Sequence, residues 1–143
     1  MIEVHPFTPF LPEGARLLML GTFPPSEKRW SMAFYYPNFI NDMWRIVGLL
    51  FFHDKDHFVD AAHKRFRLDL LVPFLQSQGI ALFDTATRIR RTTGTASDKD
   101  LEIVDNALLP CKVAEAGRTQ GFLKVAVALR AFLPYVKFVV HSL

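Results

Sequence analysis

The sequence predicts an α/β fold, with a parallel sheet covered on both faces by helices. Two observations predict the strands. Residues 15–21 and 79–85 each hold a short, continuous apolar run, Leu17 to Leu20 and Ile80 to Phe83. Unbroken runs of that length suit strands buried on both faces, as in parallel sheets. A third observation predicts the helix between them. Ile40, Met43, Trp44, Val47, Leu50 and Phe51 recur at helical spacing over residues 38–52.

Each element has its own signal. Pro6, Pro9 and Pro12 make the stretch before Gly14 extended and largely irregular. The first strand ends at Gly21. Pro24, Pro25 and Pro37 then make residues 22–38 a long loop, and loops of that length are often functional. After the helix, residues 53–58 are polar and charged, and a surface turn is expected. Residues 59–78 read as one or two helices broken near Pro73. The second strand follows, and then a loop over residues 85–96 carrying Arg88, Arg90 and Arg91. Ser97 with Asp100 three residues on forms a capping box, which predicts a helix over residues 98–108. A further helix over 121–133 and a strand over 135–142 complete the order.

Composition narrows the function classes. With 143 residues, half of them hydrophobic, the chain has the makings of one ordinary domain over residues 1–143. A chain of this length buries roughly two-thirds of its unfolded surface, so it needs neither disulfides nor metal to fold. Cys111 is the one cysteine, which excludes a disulfide framework and a multi-cysteine zinc site. No apolar run approaches the ~18 residues of a membrane span, and the first residues lack the basic and apolar regions of a signal peptide. A cytoplasmic monomer is the expectation. Seventeen Lys and Arg against 14 Asp and Glu give +3, a balance that permits a nucleic-acid partner without demanding one.

Ligands of such sheets sit outside the carboxyl ends of the strands, which directs attention to the loops at 22–38 and 85–96. The first opens with Gly21, Thr22, Phe23, Pro24, Pro25 and Ser26. A glycine turn can cradle an anion, but two prolines remove backbone donors, so a rigid strand exit is the plainer reading. No P-loop and no dinucleotide fingerprint is present. Phe34, Tyr35 and Tyr36 precede Asn38, Asn41 and Asp42. Aromatic faces stack on bases, and amides read base edges or orient water. The plainer reading makes Asn38 an N-cap and the aromatics core. Asn41 would then lie a turn inside the helix, where Asn is disfavoured. The arginines at 88, 90 and 91 suit phosphates or a solvated loop. His53, His57 and His63 with Asp54, Asp56 and Asp60 match no tight metal template.

Taken together, these stretches resemble the uracil-DNA glycosylase superfamily. Leu18 to Ser26 resembles its first motif, a strand ending in a Gly-x-x-Pro loop. Tyr35-Tyr36-Pro37 and Asn41-Asp42-Met43-Trp44 resemble the run that follows in the mismatch-specific and hypoxanthine-type branches. Gly79 to Asp84 resembles the next strand, and Gly94 to Asp98 the short motif after it. The resemblance spans residues 17–105. It implies a three-layer α/β/α sandwich with a short central parallel sheet. It also implies metal-free hydrolysis of the bond between a deaminated base, uracil or hypoxanthine, and deoxyribose in DNA. Asn41 would orient the water, with Asp42 the weaker candidate. Gly21, Thr22, Phe23, Pro24, Tyr35, Tyr36 and Asn38 would meet the flipped base, and Ser26, Lys28, Arg88, Arg90 and Arg91 the phosphates. No cofactor is implied.

Three departures stand against that pattern. Phe23 occupies the position where many members carry Asp or Asn. Three residues separate Pro37 from Asn41, where the related run has one. The likeness fades after residue 105, and the later groove-entering motif has no counterpart beyond an echo in His141-Ser142-Leu143. A truncated or altered member is one expectation, and a catalytically inactive DNA-binding member of the same fold is another. An unrelated α/β protein binding a nucleotide or metabolite is the third.

Overall fold

A computed structural model describes residues 1–92, 101–106 and 137–139, the last strand by its backbone. In chain order the elements are β1 (Ile2–Val4), β2 (Leu17–Gly21), a 3-10 turn (Glu27–Arg29), α1 (Met43–Phe52), β3 (Val59–Asp60), β4 (Arg65–Phe66), α2 (Leu68–Gln78), β5 (Ile80–Asp84), β6 (Ala86–Arg91), β7 (Leu101–Asn106) and β8 (Lys137–Val139). Helices and strands are thus mixed along the chain. They fall into two compact units: Met1–Phe23 with Leu75–Leu143, and Pro24–Phe74.

In the first unit, both predicted apolar strands are present and pair in parallel, Leu17 with Ile80 through Gly21 with Asp84. Gly79 sets the start of this ladder. Its φ is +67°, and a Cβ there would stand 3.2 Å from the Gly14 carbonyl oxygen, so a side chain would be strained in its backbone and crowded as well. Its own carbonyl accepts from the N–H groups of Arg16 and Leu17. The sheet order is β5-β2-β8, with β8 antiparallel to β2. The expected strand over 135–142 is therefore found at 137–139, but only β2 and β5 run parallel. Ala15, Leu18, Leu20 and Ala81 form a buried cluster on this sheet, with Leu11 and Phe83 packed against it.

A second sheet in the same unit, β1-β6-β7, is antiparallel throughout. It corrects three expectations. The N-terminal stretch is not irregular throughout, because Ile2–Val4 pairs with Arg88–Arg90. Residues 86–91 are a strand, not a loop: Ala86 and Ile89 are buried while Arg88 and Arg90 point to solvent. The arginine count suggested a loop, but charge is compatible with a strand whose partners carry the opposite sign. Arg91 binds Glu3 of β1 through two bonds of 2.9 and 3.0 Å, and Arg90 binds Glu102 of β7 at 2.9 Å. Residues 101–106 are also strand rather than helix. Neighbouring Ile103 and Val104 are β-branched and favour a pleated ladder over a helix. The capping box at Ser97, the motif from Gly94 to Asp98, Cys111, the helix expected at 121–133 and His141 lie outside the described residues.

In the second unit, α1 begins at Met43, five residues later than expected. Local side-chain bonds hold residues 38–42 in turns instead. Asn38 Oδ1 accepts from the Ile40 N–H at 3.3 Å, and Asn41 Oδ1 from the Met43 N–H at 2.8 Å. Arg45 reaches back to the carbonyls of Phe39 and Asn41. The helix ends on His53 in a left-handed conformation, φ +55°, in a Schellman-type closure onto the Gly48 and Leu49 carbonyls. Gly48 is required for that closure: a Cβ there would come within 2.5 Å of the Asp54 carbonyl oxygen.

Residues 59–66 form a small β-hairpin where a helix was expected, Val59 pairing with Phe66 and Asp60 with Arg65. Asp60 Oδ1 accepts from the His63 N–H and Lys64 takes a left-handed φ of +50°, so a turn outcompetes the helix that Ala61 and Ala62 suggest. Helix α2 runs through Pro73 without a break, with Pro73 on an exposed face where water can meet the carbonyl its missing N–H leaves. Trp44, Phe58 and Phe66 are the largest fully buried side chains of this unit. Phe52, Phe58 and Phe74 meet ring against ring at 5.3–5.6 Å.

Candidate functional site

Strands β2 and β5 end level with each other, with Gly21 opposite Asp84. The parallel ladder continues one step past them: Thr85 donates to the Gly21 carbonyl and Ala86 to that of Thr22. A carboxylate is thereby fixed beside the strand exit. Asp84 is buried, and its Oδ2 lies 2.7 Å from His5 Nε2, with the two side chains 8% and 4% exposed. His5 is delivered by the end of β1, where its N–H donates to the Thr87 carbonyl. Its Nδ1 lies 3.1 Å from the Phe7 amide nitrogen and 3.0 Å from the Phe7 carbonyl oxygen. With the amide donating to Nδ1, the neutral ring carries its proton on Nε2 and donates it to Asp84. Phe7, Phe23 and Phe83 pack around the imidazole at 5.0–5.9 Å between ring centres.

This arrangement can do two things chemically. A dry carboxylate held by one imidazole N–H keeps lone pairs for a further donor. The imidazole in turn can donate from either ring nitrogen, from Nε2 to Asp84 or from Nδ1 to the Phe7 carbonyl. Neither residue stood out in the sequence as a site residue. His5 and Asp84 are 79 positions apart. The one available signal was a carboxylate closing the apolar run Ile80–Asp84, a polar group at the carboxyl end of a buried strand.

The predicted site residues divide between the two units. Gly21, Thr22 and Phe23 belong to the first. Phe23 is buried with Ala86 and Ile89, so its ring serves packing. Arg90 and Arg91 are held in ion pairs, whereas Arg88 is exposed and forms no ion pair among the described residues. The remaining predicted residues belong to the second unit, beginning with Pro24. Ser26 Oγ is buried with no hydrogen-bond partner among the described residues, and Lys28 is exposed on the 3-10 turn.

Tyr35 is buried, and its carbonyl accepts from Trp44 Nε1 at 3.0 Å. Tyr36 is half-buried, with a left-handed φ of +52° and its ring edge-on to Trp44. An aromatic residue pays about 1 kcal/mol for that backbone. Asn41 is exposed, two residues ahead of the helix rather than inside it. Its Oδ1 is engaged by Met43, and its Nδ2 has no partner among the described residues. Asp42 is exposed at the N-cap position with no capping bond from its side chain. Asn38 spends its Oδ1 on Ile40.

Among the described residues, no three His, Cys, Asp or Glu side chains gather where they would hold a metal ion. None of the described helices is long and apolar enough to cross a membrane. No family model matches the chain, and no curated protein or solved structure matches it either.

Proposed function

We propose that the protein binds DNA and hydrolyses the bond joining a deaminated base, uracil or hypoxanthine, to deoxyribose. The observation that carries this reading is the level ending of β2 and β5, which sets the strand exit at Gly21 beside the buried Asp84–His5 pair. Carboxyl ends of parallel strands are where such sheets receive ligands. The reading brings with it a three-layer α/β/α arrangement around the β5-β2-β8 sheet.

The reaction needs the base out of the stack, water at the sugar carbon, and donors toward the departing anionic base. Of the two tyrosines, Tyr36 is the stacking residue, because Tyr35 is enclosed. Asn41 directs the water or the leaving base, and its free Nδ2–H donors suit an anion. Lys28 and Arg88 carry the phosphate contacts, since Arg90 and Arg91 already have acidic partners. Buried Phe23 favours a second reading, a DNA-binding protein of this fold without chemistry.

A single-turnover base-release assay decides between them, using oligonucleotides that carry uracil or hypoxanthine, paired and single-stranded. Release that disappears in Asn41→Ala while DNA binding persists is the expected result. Binding without release from any substrate would leave the second reading. Absence of both would remove the proposal.

A further inference from the structure

The second unit contains a groove of about 890 Å³ that none of the predicted site residues lines. Its floor and rim come from the β3–β4 hairpin, the start of α2 and residues 31–33. This volume lies in the range of small-molecule sites. Its chemistry has two halves. Met32, Val59 and Leu68 supply a half-buried apolar wall. Opposite in character are His63, Arg65 and Arg67.

These side chains are not loose. Asp60 Oδ2 accepts from Arg65 Nε at 3.1 Å and lies 2.8 Å from His63 Nδ1. One carboxylate therefore orients two donors at once. Asp60 is itself fixed by the His63 N–H on its other oxygen and by the Asp60–Arg65 strand pairing. Burial pushes the Asp60 carboxyl up, but the bonds from His63 and Arg65 outweigh it and hold it below its ordinary value. The outer face of this assembly remains open. Neither the Nη atoms of Arg65 nor Nε2 of His63 has a partner among the described residues, and both side chains are more than half exposed. Arg67 is anchored on Asp69 through Nη2 alone, at 3.0 Å. Planar guanidinium donors, pre-oriented and unspent, are suited to phosphate oxygens.

We propose that this groove binds a nucleotide unit, its phosphate on Arg65 and Arg67, joined by His63 when its ring carries both protons, and its sugar or base against Met32, Val59 and Leu68. Asp60 acts as a positioning residue. The phosphate is that of a free mononucleotide or of a strand. The site stands whether or not the protein releases bases, since every residue in it lies within Pro24–Phe74.

The test uses the full chain, labelled oligo-dT followed by anisotropy, and thymidine monophosphate followed through the His63 ring signals by NMR. The double variant Arg65→Gln/Arg67→Gln should weaken oligo-dT binding about tenfold at low salt and flatten its salt dependence by about 1.4 in log–log slope. Exposed Arg16 and Lys55 provide the control, and Arg16→Gln/Lys55→Gln should change far less. Asp60→Asn should weaken binding with an unchanged circular dichroism spectrum. Loss confined to the monophosphate supports the site and assigns it a free nucleotide. Equal loss in the control variant, or no response of either ligand to Arg65→Gln/Arg67→Gln, would overturn the proposal. Base release measured on the same samples reports separately on the glycosylase reading.

Discussion

Two histidine–aspartate pairs of nearly the same length occupy the two units, His5–Asp84 at 2.7 Å and His63–Asp60 at 2.8 Å. Their surroundings differ almost completely. His5 is packed among three phenylalanine rings, and Asp84 is buried beside it. His63 is 67% exposed and shares its carboxylate with an arginine that also faces water. An identical contact therefore has two different consequences. In the first unit, desolvation makes each partner indispensable to the other. In the second, water replaces either partner cheaply, and the shared carboxylate leaves the Nη donors of Arg65 facing outward. Glu3–Arg91 stands between them, with a nearly buried guanidinium and a carboxylate at the margin of exposure.

Removing one partner from each pair ranks them. Asp84→Ala strands the His5 Nε2–H in an apolar pocket and should cost about 3 kcal/mol by urea denaturation. A loss below about 1 kcal/mol would mean that water reaches the imidazole and that the contrast in burial has no energetic weight. Arg91→Ala should cost about 1–2 kcal/mol, and its effect should depend on pH. The hydrogen bond from Arg91 is the main cause that holds the Glu3 carboxyl below its ordinary value, against the opposing effect of burial. A carboxylate with a lowered folded pKa stabilises at pH values above its unfolded pKa, and the benefit is lost as pH falls through the folded one. Denaturation midpoints of the native chain and the variant should therefore converge below about pH 4. A constant gap across that range would break the assignment. Asp60→Ala should cost less than about 1 kcal/mol, the smallest of the three losses, and act chiefly on ligand binding.

The same contrast explains what was legible beforehand. The strands β2 and β5 were readable because a run such as Leu17–Gly21 is buried along almost its whole length, so every residue carries the signal. Helix α1 was readable for its buried face, but not for its start. Asn38 and Asn41 decide that boundary through bonds to their own neighbouring backbone, and amide side chains look alike in sequence whether they cap, turn or bind. Strand β6 was misread because its arginines were weighed as charge, whereas their partners Glu3 and Glu102 are distant in sequence. Asn41, singled out for water orientation, proves exposed with its oxygen already engaged, while the buried pair beside the strand exit drew no notice.

Sequence alone thus determined the apolar strands and the helical stripe around Trp44, because hydrophobic periodicity is local. Tertiary structure decided which polar groups matter. His5 meets Asp84 across 79 residues, Arg91 meets Glu3 across 88, and the hairpin turns His63 and Arg65 onto one carboxylate. The strength of a polar contact depends on how much water surrounds it, and that is fixed only when the whole chain has folded around it.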